Sequence, residues 1–408
     1  MSARKAAQRP KRARQASARS QVARARRVVV KVGSGVLTAG GRLRPGAVAG
    51  IARQVARLVA QRRQVVIVSS GAIALGAGQL GWKHPGRSIP EKQAAAAVGQ
   101  IGLAALWRRC LRRHGRETAQ VLLTQGDLRE REHFLNARRT LLELLRRGVV
   151  PVVNENDTIA TEEIRFGDND NLSATVVNLV GADLLVLLSD VDGLYRNPPQ
   201  PQSGRGRGTA PSGGLFGVVQ RIDAEVKRAA GGSANAFGRG GMITKLQAAR
   251  SAAHSGAATL LCNGLRRNAL LRGAAGEDCG TLFCAGERLR GRKHWLAFTA
   301  RPRGRLVCDA GAVRALCEGG RSLLPAGVAA VRGRFGIGDA VACVDSRGRE
   351  FARGLCAYAA EDVERIRGQA ARQIARLLGY SNGDEVIHRD DLVLLGEPET
   401  PTQAPKKS

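Results

Sequence analysis

Short apolar runs alternate with segments of helical periodicity from residue 27 onwards. The runs RVVVKV at Arg27–Val32 and QVVIVS at Gln64–Ser69 predict strands that are buried on both faces. Further strands are predicted at residues 121–124, 149–154 and 183–190, and helices at residues 45–62, 92–113, 136–147 and 171–179. This alternation indicates an α/β fold, in which helices sandwich a mainly parallel sheet.

The pattern changes twice in the second half of the chain. Residues 197–214 (NPPQPQSGRGRGTAPSGG) predict a mobile surface loop, because Gly and Pro dominate them. Residues 288–305 break the alternation, and beyond them short apolar runs such as 328–331 and 340–344 predict a small β-rich domain. We therefore expect a disordered basic tail at 1–26, an α/β domain at 27–290, a β-rich domain at 304–396 and a disordered tail at 397–408.

Charge is the most unusual feature of the composition. The 408 residues carry 65 Lys and Arg against 34 Asp and Glu, a formal net charge of +31, and no acidic residue precedes Glu91. Such a balance suits a nucleic-acid partner. However, the arginines are scattered, and only 3% of residues are aromatic, so few side chains could stack on bases. A nucleic-acid partner therefore stays an open alternative.

Two further classes of protein are disfavoured. The chain has neither the apolar segment of a secretory signal nor a run of about 20 apolar residues, so we expect a cytoplasmic protein without a membrane segment. The eight cysteines form no Cys-x-x-Cys pair and have no histidine at zinc-site spacing. Reduced, mostly buried thiols are therefore expected.

Small, charged and amide residues follow the predicted strands, where parallel sheets bind ligands. These segments are KVGSG at 31–35, SSGA at 69–72, NEND at 154–157, GDNDN at 167–171, SDVDG at 189–193 and GRGGMITK at 238–245. Together they combine two Gly-flanked lysines, carboxylates and Gly-rich turns whose N–H groups can bind anions. Phosphoryl transfer needs this set of groups. The chain has no P-loop motif and no protein-kinase motif, so a different phosphate site is expected.

The sequence resembles a known protein family. Residues 27–286 resemble the amino acid kinase family, and within it the members that phosphorylate glutamate, through VVVKVGSGVLT (28–38), VVIVSSGAIALG (65–76), KQAAAAVGQ (92–100), HFLNARRTL (133–141), VPVVNENDTIATEEIRFGDNDNLSA (150–174) and GGMITKLQAA (240–249). The later residues resemble a PUA domain through segments at 322–341, 352–358 and 378–395.

The resemblance implies a role for each matching residue. Lys31 and Lys245 would contact the transferring phosphoryl group, and Asp170 would hold both lysines. Ser70, Asp157 and Asn169 would bind glutamate. ATP would be bound by Lys31, Gly33, Ser34, Gly71, Ser189, Asp190, Arg239, Gly240, Gly241, Met242, Ile243, Thr244 and Lys245. No protein metal site is implied, because Mg²⁺ would be held mainly by the ATP phosphates.

Two departures from the family pattern lie on the ATP side. Arg239 stands where the family usually has Thr, and Arg-Asn-Pro-Pro-Gln follows Tyr195 where Thr-Ala-Asp-Pro-Arg is usual. We expect them to affect ATP binding more than glutamate recognition. Arg239 could add a contact to phosphate.

The implied activity is ATP-dependent phosphorylation of the γ-carboxylate of L-glutamate to L-glutamyl 5-phosphate, the first step of proline biosynthesis. The resemblance also implies proline as a feedback inhibitor, a downstream glutamyl phosphate reductase as a functional partner, and a homo-oligomer, either dimer or tetramer. Two alternatives stay open. One is a sister kinase that acts on another carboxylate, and the other is an RNA-binding PUA protein with a degenerate kinase domain.

Overall fold

The computed structural model describes residues 16–159, 169–197, 214–231, 241–286, 291–298 and 300–395. Tertiary contacts divide the chain into two compact units, which meet in sequence between Leu289 and Arg290. The first expected loop, at 197–214, falls almost entirely outside the described residues, as do residues 1–15 and 397–408 of the two expected tails.

The first unit is built on one large sheet. Its strands are β1 (Arg27–Val32), β4 (Gln64–Ser69), β5 (Thr118–Leu123), β6 (Val150–Glu155), β7 (Leu184–Ser189), β8 (Val218–Val219), β9 (Ala258–Asn263) and β10 (Thr281–Phe283), and a separate hairpin is formed by β2 (Thr38–Ala39) and β3 (Arg42–Leu43). Among the described residues the sheet has eight strands in the order β5-β6-β4-β1-β7-β9-β10-β8. Only the β9–β10 pair among them is antiparallel.

Helices cover this sheet. They are α1 (residues 16–23), α2 (Ser34–Leu37), α3 (Pro45–Ala60), α4 (Ala72–Gln79), α5 (Ile89–Arg112), α6 (Arg131–Arg146), α7 (Asn169–Val180), α8 (Ala224–Gly231), α9 (Met242–His254) and α10 (Ala269–Ala274), with a short 3₁₀ turn at Asp127–Arg129. The α/β class with a mainly parallel sheet is therefore confirmed. The central strands are apolar on both faces because helices pack on both sides, and every residue of β7 is buried.

Local sequence explains where the helices begin. Pro45 stands at the start of α3, where its missing N–H would have no partner in any case. Ser88 caps α5: its hydroxyl accepts from the Glu91 N–H, and the Glu91 carboxylate accepts from the Ser88 N–H.

Helices α4 and α5 cross at very short range. A Cβ atom built on Gly76 would lie 1.7 Å from the Ala95 carbonyl oxygen, and one built on Gly99 would lie 1.9 Å from the Ala72 carbonyl oxygen. Only glycine fits at both positions. This contact places the middle of α5 beside the carboxyl ends of β4 and β6, where Trp107 Nε1 donates to Ser69 Oγ at 2.9 Å.

The N-terminal tail needs a correction. Residues 16–23 form a helix that packs on the first unit, whereas the composition of 1–26 led to the expectation of disorder. Val22 is buried in the core, and Arg19 donates to the carbonyl oxygens of Glu277 and Gly217 and pairs with Asp278 at 2.5 Å. These partners lie some 200 or more residues away in sequence, so local composition carries no sign of them.

The second unit is a small sheet with four helices among its described residues. Its strands are β11 (Gly304–Cys308), β12 (Val328–Gly333), β13 (Ala340–Val344), β14 (Glu350–Leu355) and β15 (Leu392–Leu394), in the order β12-β11-β13-β14-β15. Its helices are α11 (Gly291–Phe298), α12 (Ala310–Cys317), α13 (Ala360–Ile366) and α14 (Ile374–Leu378), with 3₁₀ turns at Pro325–Gly327, Ala371–Gln373 and Arg389–Asp391. The expected small β-rich unit is thus present.

The eight cysteines are free thiols, and five of them are buried. Within the ranges that the structure describes, we find no helix of the length and apolar character that spanning a membrane requires.

Candidate active site

The site lies at the carboxyl ends of the strands of the large sheet. Strands β1, β4, β6, β7 and β9 are joined by parallel pairings, so their carboxyl ends lie together. The segments that follow β1, β4, β6 and β7 are those singled out from the sequence. Helix α7 begins at Asn169 and α9 at Met242, and these helices pack against each other beside the same strand ends.

A carboxylate between two lysines forms the centre of the site. Lys31 Nζ lies 2.6 Å from Asp170 Oδ1, and Lys245 Nζ lies 3.2 Å from Asp170 Oδ2. Thr244 Oγ1 donates to the same Oδ2 at 2.8 Å. All three charged residues are buried, and Asp170 is only 1% exposed. The cluster carries one net positive charge, so it can attract an anion.

Burial and charge act in opposite directions on these groups. Burial would raise the pKa of Asp170, but the charges of Lys31 and Lys245 outweigh it and hold that pKa below its usual value. Burial lowers the pKa of Lys245, although attraction by Asp170 partly offsets this effect. Asp170 is therefore ionised at neutral pH and can hold both lysines.

A chain of amide hydrogen bonds runs beside this cluster. Asn169 Nδ2 donates to Ser70 Oγ at 3.0 Å and to Asn154 Oδ1 at 3.1 Å. Asn154 Nδ2 in turn donates to Gln100 Oε1 at 2.8 Å. Ser70 and Asn169, which come from segments 99 residues apart, are thus brought into direct contact.

Asp157 is a buried carboxyl group just beyond β6. Burial raises its pKa to about 6, well above the ordinary value of an aspartate. An entering ammonium group would stabilise the ionised form, because opposite charges attract strongly where water is excluded.

The other side of the site is formed by the loop after β7. Ser189 Oγ donates to Asp190 Oδ1 at 3.1 Å. Asp190 approaches α2 so closely that a Cβ built on Gly35 would lie 2.7 Å from Asp190 Oδ2. Gly71 has φ of +111°, a left-handed conformation that favours glycine, directly before α4.

One expected donor is already engaged. The Gly33 N–H donates to the Leu188 carbonyl oxygen at 3.0 Å, because the β1–β7 ladder continues one residue past β1. The Gly33 N–H is thus engaged within the sheet, and its expected contact with phosphate stays a prediction. The N–H of Ser34 lies in the first turn of α2, where no carbonyl of the helix can accept it.

Comparisons with known proteins agree with this geometry. A model described as "Amino acid kinase family" matches residues 26–263, and one described as "PUA domain" matches residues 304–378. The chain belongs to the amino acid kinase family, and within it to the glutamate 5-kinases. The second membership rests on relatives that the chain matches over nearly its whole length.

Three examples of these relatives follow, each named "Glutamate 5-kinase". The protein from Geobacter sp. (strain M21) is 50% identical over 372 residues, which is 91% of this chain and 98% of that protein. The protein from Syntrophotalea carbinolica is 46% identical over 370 residues, 90% of this chain and 97% of that protein. The protein from Geobacter sulfurreducens is 48% identical over 376 residues, 92% and 99% of the two chains.

These findings confirm the family resemblance and the kinase activity expected from the sequence. A kinase of this family uses ATP. Neither the sister kinase nor the degenerate kinase domain is favoured, because these relatives match the chain across both units and all carry the same name.

Two of the assigned site residues fall outside the described ranges. These are Arg239 and Gly240, so the structure does not describe the contact expected of Arg239 with phosphate. Gly241 precedes α9, and Met242, Ile243, Thr244 and Lys245 form its first turn, where Ile243 is 54% exposed.

Sequence reasoning missed three features of the site. Thr244 was assigned to ATP, yet its hydroxyl binds Asp170. Gln100 and Asn154 lie within two of the resembling segments but had no assigned role. The third feature is a cluster in which Arg266 pairs with Asp192 at 2.8 Å and Asn263 Nδ2 donates to Asp192 at 3.0 Å, which ties the end of β9 to the loop after β7.

Proposed function

We propose that this chain transfers the γ-phosphoryl group of ATP to the γ-carboxylate of L-glutamate, giving L-glutamyl 5-phosphate and ADP. The observation that carries this proposal is the buried Lys31–Asp170–Lys245 cluster. A glutamate γ-carboxylate oxygen attacks the γ-phosphorus, and the bond from that phosphorus to the bridging oxygen of ADP breaks. No general base is needed, because a free glutamate side chain, with a reference pKa of about 4.3, is already ionised at neutral pH.

The two lysines stabilise the transferring phosphoryl group in this mechanism. Lys31 and Lys245 bind the oxygens of the transferring group and neutralise the charge that develops on them. Asp170 acts as a positioning residue: its two carboxylate oxygens each hold one lysine, so the two ammonium groups stay at a fixed separation. Thr244 fixes the orientation of the carboxylate. This preorganisation avoids the cost of ordering the site during the reaction.

Glutamate binds beside this cluster. Ser70 and Asn169, already in contact, offer polar atoms to the substrate. Asp157 pairs with the α-ammonium group, and burial strengthens that pairing.

ATP binds on the side of the loop after β7. Ser34, Gly71 and the described residues 241–245 contact the phosphates, together with Ser189 and Asp190 at the end of β7. Mg²⁺ would be held chiefly by the ATP phosphates and would offset their charge. The hydroxyl of Ser189 and the carboxylate of Asp190 are oxygen donors of the kind that Mg²⁺ accepts.

A substrate panel tests the proposal. Purified protein, ATP and Mg²⁺ are incubated with hydroxylamine, which traps acyl phosphates as hydroxamates, and with L-glutamate, acetylglutamate or aspartate. Hydroxamate from glutamate alone supports the assignment. Activity with another acid alone would retain the fold and reject the substrate.

The product and inhibitor follow from the same chemistry. An acyl phosphate is labile, so a reductase that consumes glutamyl phosphate is a natural functional partner in proline synthesis. Proline carries the same α-ammonium-type nitrogen and carboxylate as glutamate, so it competes for the glutamate site. Inhibition that glutamate does not relieve would contradict this placement.

Self-association, as dimer or tetramer, is supported by exposed apolar side chains on the first unit. On α5, Ile101 is 76% exposed and Val98 is 37% exposed, and on the edge strand β5 Leu122 is 38% exposed. Apolar side chains at a strand edge favour association. An Ile101→Asp variant should be smaller than the wild-type protein in light scattering after size exclusion; an unchanged mass would reject this surface.

A contact with nucleic acid is a second candidate, supported by the sheet of the second unit. Arg305 on β11 lies directly opposite Arg332 on β12, and both are exposed. Like charges in this position destabilise a sheet unless an anion lies between them. Binding of a labelled RNA should weaken steeply as salt rises, and a double Arg→Gln variant should reduce the slope. Retention that ignores salt would reject this candidate.

A further inference from the structure

A buried oxygen beside the centre of the site has no hydrogen-bond donor among the residues that the structure describes. Asn169 is 3% exposed, and its Oδ1 atom is buried without a partner in the described part of the chain. Leaving such a buried acceptor unsatisfied is unfavourable. A group that brings an N–H donor to this atom would therefore bind more tightly.

The Asn169 amide nitrogen faces three acceptors, and the role of one of them cannot change. Asn169 Nδ2 lies 3.4 Å from the Ser69 carbonyl oxygen, which can only accept. The same nitrogen donates to Ser70 Oγ and Asn154 Oδ1. Its oxygen is therefore on the other side of the amide, away from these three acceptors.

The orientation of Asn154 depends on Gln100. Because Asn154 Oδ1 accepts from Asn169, its Nδ2 must find an acceptor, and this acceptor is Gln100 Oε1 at 2.8 Å. Asn154 is 3% exposed, so water does not readily replace that acceptor. The close crossing of α4 and α5 holds Gln100 in place, because Gly99 touches the Ala72 carbonyl oxygen.

We propose that Gln100 is a positioning residue that fixes the amide orientations of Asn154 and Asn169, so that Asn169 Oδ1 accepts a hydrogen bond from the α-ammonium group of the substrate. The inference rests on the proposed function, since it names the atom that recognises glutamate. Gln100 therefore supports recognition of the α-ammonium group of the substrate, and not of the carboxylate that reacts. An amide turned the other way would present N–H donors to an ammonium group and repel it.

The test compares variants at position 100. Gln100→Leu removes the acceptor of Asn154, so Asn154 can turn its Nδ2 towards Asn169 Nδ2, and the hydrogen bond that supports the Asn169 amide is then lost. Gln100→Glu keeps an oxygen acceptor in the same place. Gln61→Leu, at an exposed position after α3, controls for the exchange itself. A hydrogen bond to a charged group contributes about 1.5–3 kcal/mol, so a full loss corresponds to about 10- to 150-fold in affinity.

We expect Gln100→Leu to raise KM for glutamate by about tenfold or more, with KM for ATP changed by less than about twofold. Gln100→Glu should restore KM for glutamate, and Gln61→Leu should match the wild-type protein. The inhibition constant of glutarate, which lacks the ammonium group, should stay the same in Gln100→Leu.

Two outcomes would overturn the inference while leaving the proposed function intact. One is an unchanged KM for glutamate in Gln100→Leu. The other is an equal rise in KM for glutamate, KM for ATP and the glutarate constant, which would mean that Gln100 only maintains the shape of the site. A wild-type protein that makes no hydroxamate from glutamate would instead reject the proposed function itself.

Discussion

Replacing Asp170 with Asn removes the one negative charge at the centre of the site while keeping its shape. Two buried ammonium groups then lose the carboxylate that lies 2.6 Å from Lys31 and 3.2 Å from Lys245. At an effective dielectric constant of about 20, each of these contacts corresponds to an attraction of about 5–6 kcal/mol. The loss is partly offset because the carboxylate no longer has to be desolvated.

Deprotonation of a lysine limits the cost. Neutralising a lysine with a reference pKa of about 10.4 costs about 4.6 kcal/mol at pH 7 and about 2 kcal/mol at pH 9. Burial already lowers the pKa of Lys245, and without Asp170 it falls further. The folded variant thus binds fewer protons than the unfolded chain, so its stability rises with pH. We expect the variant to be destabilised by about 3–5 kcal/mol at pH 7 and by about 2 kcal/mol at pH 9.

Urea unfolding of the first unit measures this difference. The fully buried Trp107 reports on that unit, and replacing Trp82 and Trp295 with Phe removes the other tryptophan signals. Asp278→Asn is the matched control: its side chain is 81% exposed and pairs with Arg19, so its loss should cost under about 1 kcal/mol. A cost for Asp170→Asn below about 1 kcal/mol, or one that is equal at pH 7 and pH 9, would refute the reasoning.

Two further predictions concern the substrates. Because the pKa of Asp157 is raised to about 6, KM for glutamate should rise about tenfold for each pH unit below 6. Asp157→Asn should have a high KM for glutamate without this pH dependence. It should also be up to about 3 kcal/mol more stable at pH 7, because a carboxyl group with a raised pKa lowers the stability of the folded protein as pH rises through that value. A wild-type KM profile that is flat down to pH 5 would contradict this. In Gly35→Ala the new methyl group displaces the Asp190 side chain, at a cost of about 0.5–1.5 kcal/mol. KM for ATP should therefore rise about two- to tenfold, while KM for glutamate is unchanged. An unchanged KM for ATP would count against the role of Asp190.

Local pattern was enough to predict the central elements. Strands β1 and β4 have the predicted bounds, because buried parallel strands are continuous apolar runs. The lysine that ends the first run and the serine that ends the second could be assigned to one edge for the same reason. Membership of a family then identified the residues that meet there.

Contacts between distant segments could not be predicted in this way. Helix α1 contains one large apolar residue, Val22, among small and polar residues, and its packing depends on Arg19 and the turn at 276–280. Helix α11 lies in a segment for which the pattern predicted no element, yet Trp295 and Leu296 are buried. The hydrogen bond from Asn154 to Gln100 joins β6 to α5 across 54 positions of the sequence, so no local pattern indicates it.

The central claim is that two lysines held by one carboxylate bind the transferring phosphoryl group. Phosphoryl transfer from ATP to glutamate by Lys245→Met tests it most directly, with the exposed Lys227→Met in α8 as the control. Removing one preorganised donor to a transition state lowers kcat by about 10²–10³-fold. We predict a loss of that size in Lys245→Met with KM for glutamate nearly unchanged, and wild-type kinetics in Lys227→Met. A Lys245→Met enzyme that keeps kcat within about threefold of wild type would contradict the account.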